Sequence, residues 1–235
     1  MINKRIEELI KTLYKNFPFK QSLFSFIRMF HILPKSVYQH LYFKGLFKVK
    51  IYGKVFVMYH HGYLLENEIF WKGFKKGSHE SVSISLWAKL SKVSNCIMDI
   101  GANTGIYALV AKTVNPAAKV YAFEPIKRVY EKLKLNCDFN NYDIVCEEAA
   151  VSSYDGRGRI YVPDTEHIYT VCVNKNIIGR NEKVVETEIQ TVKLSTYMQE
   201  RGTPKVDLIK IDVETHEVEV LKGMEIYLQQ MLPTF

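Results

Sequence analysis

The sequence predicts an α/β fold built on a parallel sheet. Three observations carry this. From Asn95 onward, short apolar runs of strand length alternate with segments of helical period, the pattern of a parallel sheet with crossover helices. A glycine-containing turn, Asp99 to Gly105, joins the first such strand to its helix. The second strand ends in Phe123-Glu124-Pro125, which puts a carboxylate at its tip, 25 residues after Asp99.

The elements follow in order. Residues 2–16 suit an amphipathic helix through Ile6, Leu9, Ile10, Leu13 and Tyr14, broken at Pro18. A second helix is expected from Gln21 to Leu33, ended by Pro34, and a short third from Ser36 to Phe43. Phe47 to Ile51 alternates in period two, Gly53-Lys54 turns the chain, and Val55 to Tyr59 returns as a hairpin partner. Glu66 to Lys75 and Ser81 to Leu90 read as helices.

Within the alternating region, Cys96 to Ile100 is a buried strand and Gly105 to Thr113 its helix. Lys119 to Phe123 is the second strand and Ile126 to Phe139 the second helix, stopped by Asn140-Asn141. Ile144 to Val151 is the third strand. Arg159 to Val162, Thr170 to Val173 and Val184 to Val192 interrupt the alternation as an antiparallel excursion. Val206 to Val213 is the next parallel strand, and Glu217 to Gln230 its helix. Thr234-Phe235 opens what reads as a further strand, so the domain is expected to lack its last strands.

Three regions result: a basic, aromatic-rich helical arm (1–46), a hairpin with helices leading into the core (47–94), and an α/β domain (95–235). The 235 residues, 47% of them hydrophobic and 24% charged, can bury a large core and do not resemble a disordered chain. The net charge of +7 is uneven: residues 1–54 hold eleven Lys and Arg against two Glu, and the remainder is slightly acidic. The basicity therefore belongs to the arm. Two expectations attach to residues 20–47. They pack on the α/β domain as a lid or recognition element, or they make peripheral contact with a membrane surface. No nucleic-acid motif is present.

Four cysteines, Cys96, Cys137, Cys146 and Cys172, have neither Cys-x-x-Cys nor zinc spacing. Cys96 reads as a core thiol, and a reducing, cytoplasmic setting follows, with membrane association through the arm as its variant. No stretch reaches the length of a membrane span.

The turn at 99–105 carries the chemistry. A dinucleotide site uses Gly-x-Gly-x-x-Gly and leaves room for a pyrophosphate at a helix N-terminus. Here the spacing is Gly-x-x-x-Gly with Asp99 two residues ahead. A carboxylate there repels pyrophosphate and suits a cationic amine. S-adenosylmethionine has that amine and no phosphate. Glu124 at the second strand tip can accept hydrogen bonds from ribose hydroxyls. The opposing reading has both carboxylates merely capping turns.

Met98 to Gly105, Ala122 to Pro125 and Asp207 to Glu214, with Glu80, Asn136, Asn140, Ala149-Ala150-Val151 and Leu221-Lys222-Gly223, resemble the FkbM-type methyltransferase family over roughly residues 80–224. The resemblance implies a Rossmann-like class I methyltransferase sheet and methyl transfer from S-adenosylmethionine to oxygen, often on sugars or polyketides. It implies that Asp99, Gly101, Asn103 and Gly105 line the methionine part, that Glu124 holds the ribose, and that Glu148 and Ala149 lie near the adenine. Thr215 departs from the glycine that the family usually carries after Asp-Val-Glu.

Asp212, Glu214, His216 and Glu217 crowd the fourth strand tip, where ligands sit in open α/β sheets. Asp212, His216 and Glu217 are the catalytic candidates: Asp212 to organise the site, His216 as base, Glu217 to hold substrate. A surface helix position competes for His216, helix capping for Glu214 and bracing of a loop for Glu217. Lys210 shares a strand face with Asp212 and is expected to pair with an acid. The spacing of Asp212, Glu214 and His216 does not force a metal site, and no metal is expected. The expected function is O-methylation of a carbohydrate, glycolipid or related natural product. The rivals are a dinucleotide-dependent oxidoreductase and a non-catalytic cofactor-binding or membrane-associated protein.

Overall fold

The computed structural model describes residues 17–74, 80–163, 184–203, 205–225 and 227–228. The expected helix over 2–16 and the strands at Thr170–Val173 and Thr234-Phe235 lie outside these residues, as does Cys172.

Helix α1 (Lys20–Phe30) and the single turn α2 (Lys35–Tyr38) form the described arm. Both are shorter than the apolar runs predict. After Phe30 the backbone is already extended at His31, ahead of Pro34. Strands β1 (Gly45–Ile51) and β2 (Lys54–His60) make an antiparallel hairpin, with Ile51 opposite Lys54. The two turn residues, Tyr52 and Gly53, both have positive φ (44° and 78°), which matches the twist of a tight hairpin. Phe47, Val49 and Ile51 are buried on β1, and Phe56, Met58 and His60 on β2, so one face is packed. Helices α3 (Leu64–Lys72) and α4 (Ser81–Ser91) follow.

The central sheet is parallel in all its pairings. Its strands are β3 (Cys96–Ile100), β4 (Lys119–Phe123), β5 (Val145–Glu147) and β9 (Leu208–Ile211), in the order β5-β4-β3-β9. All five residues of β3 are buried, because helices cover both faces. On one face Ile97 joins a single apolar cluster. That cluster runs from Phe24 of the arm, through the hairpin, α3 and α4, to α5 (Ile106–Val114) and α6 (Lys127–Phe139). On the other face Cys96, Met98 and Ile100 pack against α7 (Leu194–Glu200) and α8 (Glu217–Met224). Burial pushes the Cys96 thiol up to about 11, as befits a core thiol.

One expectation fails in an informative way. Ile144 to Val151 is not one strand. The chain leaves the edge of β4 after Glu147, and Ala150–Val151 (β6) pairs instead with β8 (Val184–Val192) in a second sheet ordered β6-β8-β7, where β7 is Gly156–Pro163. The apolar run is broken by Glu147-Glu148, and the hydrogen-bonding partner changes at that break. The antiparallel pairing of β7 with β8 is the excursion that the sequence predicts. The fourth parallel strand, Leu208–Ile211, is shorter than Val206–Val213, although the amides of Asp207 and Asp212 still donate to Cys96 O and Ile100 O of β3 at its two ends.

Hairpin and sheet are fastened by α6. Asn140 accepts from Val57 N and donates to Val57 O, both at 2.8 Å, as a neighbouring strand would. One turn earlier, Asn136 accepts from Tyr59 N (2.8 Å) and donates to Thr104 O (2.9 Å).

Candidate active site

The turn after β3 is shaped by its backbone. Gly101, Asn103 and Gly105 all have positive φ. The amides of Gly101 and Ala102 both donate to Phe123 O, which closes the turn against β4. A Cβ on Gly101 would lie 2.0 Å from the Asp212 carbonyl, so only glycine lets the β3 and β9 tips approach this closely.

Glu124 bridges that turn. One oxygen accepts from Asn103 N and the other from Ile126 N, each at 3.0 Å. Its side chain still lines the cleft while only 6% exposed. Burial pushes its carboxyl up to about 7 against the pull of the two amides.

Asp99 is placed differently from the sequence expectation. It is fully buried and is not among the cleft-lining residues. One oxygen accepts from Ala108 N in the first turn of α5 (3.0 Å), and the other from Lys210 Nζ (3.1 Å). The amine it meets belongs to the protein itself. Asp99 and Lys210 are register partners on β3 and β9, so their side chains share a face.

Lys210 is the hub of the site. Its ammonium also donates to Gly101 O (3.1 Å), lies 3.6 Å from Asp212 Oδ2, and sits 4.8 Å from the centre of the Tyr107 ring. Burial alone lowers its pKa; Asp99 and Asp212 outweigh that, and the net shift is upward. Tyr107 in turn donates to the Glu80 carboxylate. The expected pairing of Lys210 with an acid is thus made twice.

Asp212, Glu214 and His216 all line the cleft; Glu217 does not. Asp212 is largely exposed there. His216 Nε2 lies 3.0 Å from Ser152 Oγ, and burial lowers its pKa against the opposing pull of Glu219 and Glu217. Glu217 accepts weakly from Val213 N, at 3.4 Å, and holds the turn between strand and helix. That turn contains Glu214 (φ 49°) and Thr215 (φ 76°), two consecutive left-handed residues. Thr215 stands where a glycine would be unstrained.

The cleft is open to solvent and holds about 180 Å³ of cavity volume. Gly101, Asn103 and Glu124 form one side, and Ala149 lines it too; Gly105 and Glu148 do not reach it. Gly105 faces Leu133 instead. The far wall comes from the second sheet: Ser152, Tyr154, Arg159, Ile160 and Thr191. Arg159 is paired with Glu186 at 3.0 Å. Tyr154 and Arg159 escape sequence reasoning because no spacing ties them to the turn; they arrive through packing of the second sheet and its connecting turn. Tyr107, two residues after Gly105, is within reach of it. Among the described residues, no three His, Cys, Asp or Glu side chains converge on a metal-sized position.

A family model described as "Methyltransferase FkbM domain" matches residues 99–235. Curated relatives include a methyltransferase named sdnD from Sordaria araneosa, 29% identical over 155 residues, which cover 55% of this chain and 60% of the relative. The 31-O-demethyl-FK506 methyltransferase FkbM of Streptomyces tacrolimicus is 29% identical over 153 residues, 55% of this chain and 59% of that one. The hexuronic acid methyltransferase AglP of Haloferax volcanii is 28% identical over 153 residues, 63% of this chain and 57% of that one. The chain thus spans about three-fifths of the length of the curated relatives it matches.

Proposed function

The chain belongs to the FkbM methyltransferase family, and from that premise we propose that it transfers a methyl group from S-adenosylmethionine to a hydroxyl of a carbohydrate, glycolipid or related natural product. The observation that carries the reading is Glu124: a buried carboxylate that lines the cleft beside a backbone turn with no room for a Cβ at Gly101. These residues fit the cofactor. A carboxylate at the tip of the second strand accepts hydrogen bonds from ribose hydroxyls. Glu124 would hold the ribose, and Gly101 and Asn103 would flank the methionine part, with Ala149 toward the base.

The cofactor, when bound, supplies an electrophilic methyl on a sulfonium. What falls to the protein is to present the acceptor oxygen in line and to take its proton. His216 suits the proton transfer, because it lines the cleft and its burial favours the neutral ring. Asp212 lies beside Lys210, which restrains its carboxylate for orienting the acceptor. Glu217 keeps only its structural role at the turn. The names of two relatives, one acting on hexuronic acid and one on a demethylated FK506 hydroxyl, support an oxygen acceptor on a sugar or polyketide. The family match is to methyltransferases, which disfavours a dinucleotide oxidoreductase.

The test is labelled-methyl transfer from S-adenosylmethionine into extracted glycans and glycolipids, with calorimetry of S-adenosylhomocysteine alongside. Incorporation that falls about 100-fold or more in His216→Ala, with cofactor affinity kept, supports the assignment. Tight dinucleotide binding without S-adenosylhomocysteine binding overturns it.

A further inference from the structure

Helix α1 is apolar on two opposite faces. The inner face puts Phe24 against Trp71 and Phe43, with ring centroids 5.7 and 6.5 Å apart, and Arg28 over the Phe70 ring at 4.5 Å. Those contacts satisfy the helix as a packed element. The outer face is unaccounted for. Phe19, Leu23, Phe26 and Phe30 recur at spacings of four, three and four, which is one stripe of a helix. Phe19 is 66%, Phe26 60% and Phe30 75% exposed, and Met29 beside them 76%. Phe26 and Phe30 stack edge-on at 5.1 Å, so the stripe is continuous.

The charge around this stripe has one sign. No Asp or Glu occurs between Glu8 and Glu66, while Lys20, Arg28, Lys35, Lys44, Lys48, Lys50 and Lys54 fall within residues 17–54. Next to Arg28 of α1, an open groove is lined also by Lys48, Lys50 and Lys72, and by no carboxylate among the described residues. An exposed aromatic stripe on a segment whose charges are all cationic matches the composition of an interfacial helix. At 11 residues α1 is about 16 Å long, roughly half of a bilayer's hydrocarbon thickness, so in itself it suits lying along a surface.

We propose that the outer face of α1, with Phe19, Phe26 and Phe30 as its anchors and the Lys48–Lys50 groove as its cationic flank, docks the protein on an anionic lipid surface. The aromatic side chains enter the headgroup boundary, and the lysines meet the lipid charge. This does not depend on the methyl-transfer reading, because none of these residues lines the cleft.

The experiment is co-sedimentation of the 235-residue chain with vesicles of phosphatidylcholine alone, and of phosphatidylcholine mixed with phosphatidylglycerol. The expected result is about tenfold preference for the anionic vesicles, weakened by high salt. Phe26→Ser/Phe30→Ser lowers binding about tenfold, and Lys48→Glu/Lys50→Glu abolishes the anionic preference. Thermal midpoint and S-adenosylhomocysteine affinity stay unchanged in both, which separates lost docking from lost folding. Equal binding to both vesicle types, or none to either, overturns the proposal. So does a dimer in sedimentation velocity that Phe26→Ser/Phe30→Ser dissociates while vesicle binding is absent.

Discussion

Lys210 and Asp99 face each other across the β3–β9 register with 3.1 Å between ammonium and carboxylate. Asp99 is fully enclosed and Lys210 nearly so. Removing one partner of such a pair leaves a charge with no solvent to hold it, which costs about 3–5 kcal/mol. Lys210→Met is therefore expected to lose that much in urea unfolding. Asp99→Asn/Lys210→Met, in which neither charge remains, recovers a large part of it. If the double variant is no more stable than the single one, Lys210 matters through Gly101 O rather than through Asp99.

Thr215 sits at φ 76° on the exposed turn between β9 and α8. A β-branched residue in the left-handed region costs about 1–2 kcal/mol, while glycine adds roughly 0.5–1 kcal/mol of unfolded-state entropy. The first outweighs the second. Thr215→Gly should therefore raise stability by about 0.5–1 kcal/mol, a few degrees in thermal midpoint for a chain of this size. Calorimetric melting checks it, and a lowered midpoint contradicts the strain argument.

Glu124 links cofactor affinity to pH. In the folded protein its carboxyl holds the proton up to about 7, against an ordinary value of 4.5. Between those two values the native state binds more protons than the unfolded one, so this group's contribution to stability is present at low pH and declines as pH rises through the window. A ribose that donates to the carboxylate favours the ionised form. S-adenosylhomocysteine should therefore bind more tightly as pH rises from 6 to 8, by about tenfold in all with most of the gain below 7, and release a proton on binding below pH 7. Titration calorimetry in two buffers of different ionisation enthalpy measures that proton. In Glu124→Gln both the release and the pH slope vanish.

The sequence made the β3–turn–α5 unit legible because each part follows a local rule: a short apolar strand, glycines where φ is positive, an apolar helix. Cys96–Ile100 and Lys119–Phe123 are bounded as their pattern predicts. Ile144–Val151 is not: the change of partner falls at the charged pair Glu147-Glu148, which interrupts the apolar run, and a single strand drawn through that pair overlooks the break. Asp99 illustrates the same limit at the site. Its position predicts an amine partner, but only the β3–β9 register identifies that amine as Lys210. Arg159 and Tyr154 reach the cleft from a sheet whose docking no periodicity encodes.

The two asparagines of α6 separate support of the hairpin from support of the turn. Asn140 bonds both backbone groups of Val57 and nothing in the 99–105 turn. Asn136 is fully buried and holds Tyr59 N on one side and Thr104 O on the other. Stranding a buried backbone partner costs about 1–3 kcal/mol. Asn140→Ala should lower stability by that amount and speed amide exchange at Val57, with S-adenosylhomocysteine affinity unchanged. Asn136→Ala should cost at least as much and also weaken that affinity several-fold, because Thr104 is next to Asn103, whose amide donates to Glu124. Hydrogen exchange and titration calorimetry on the two variants decide it. An equal loss of affinity in both means that hairpin and turn respond as one cooperative unit, and that the hairpin itself, not Asn136 alone, keeps the turn in shape for its ligand.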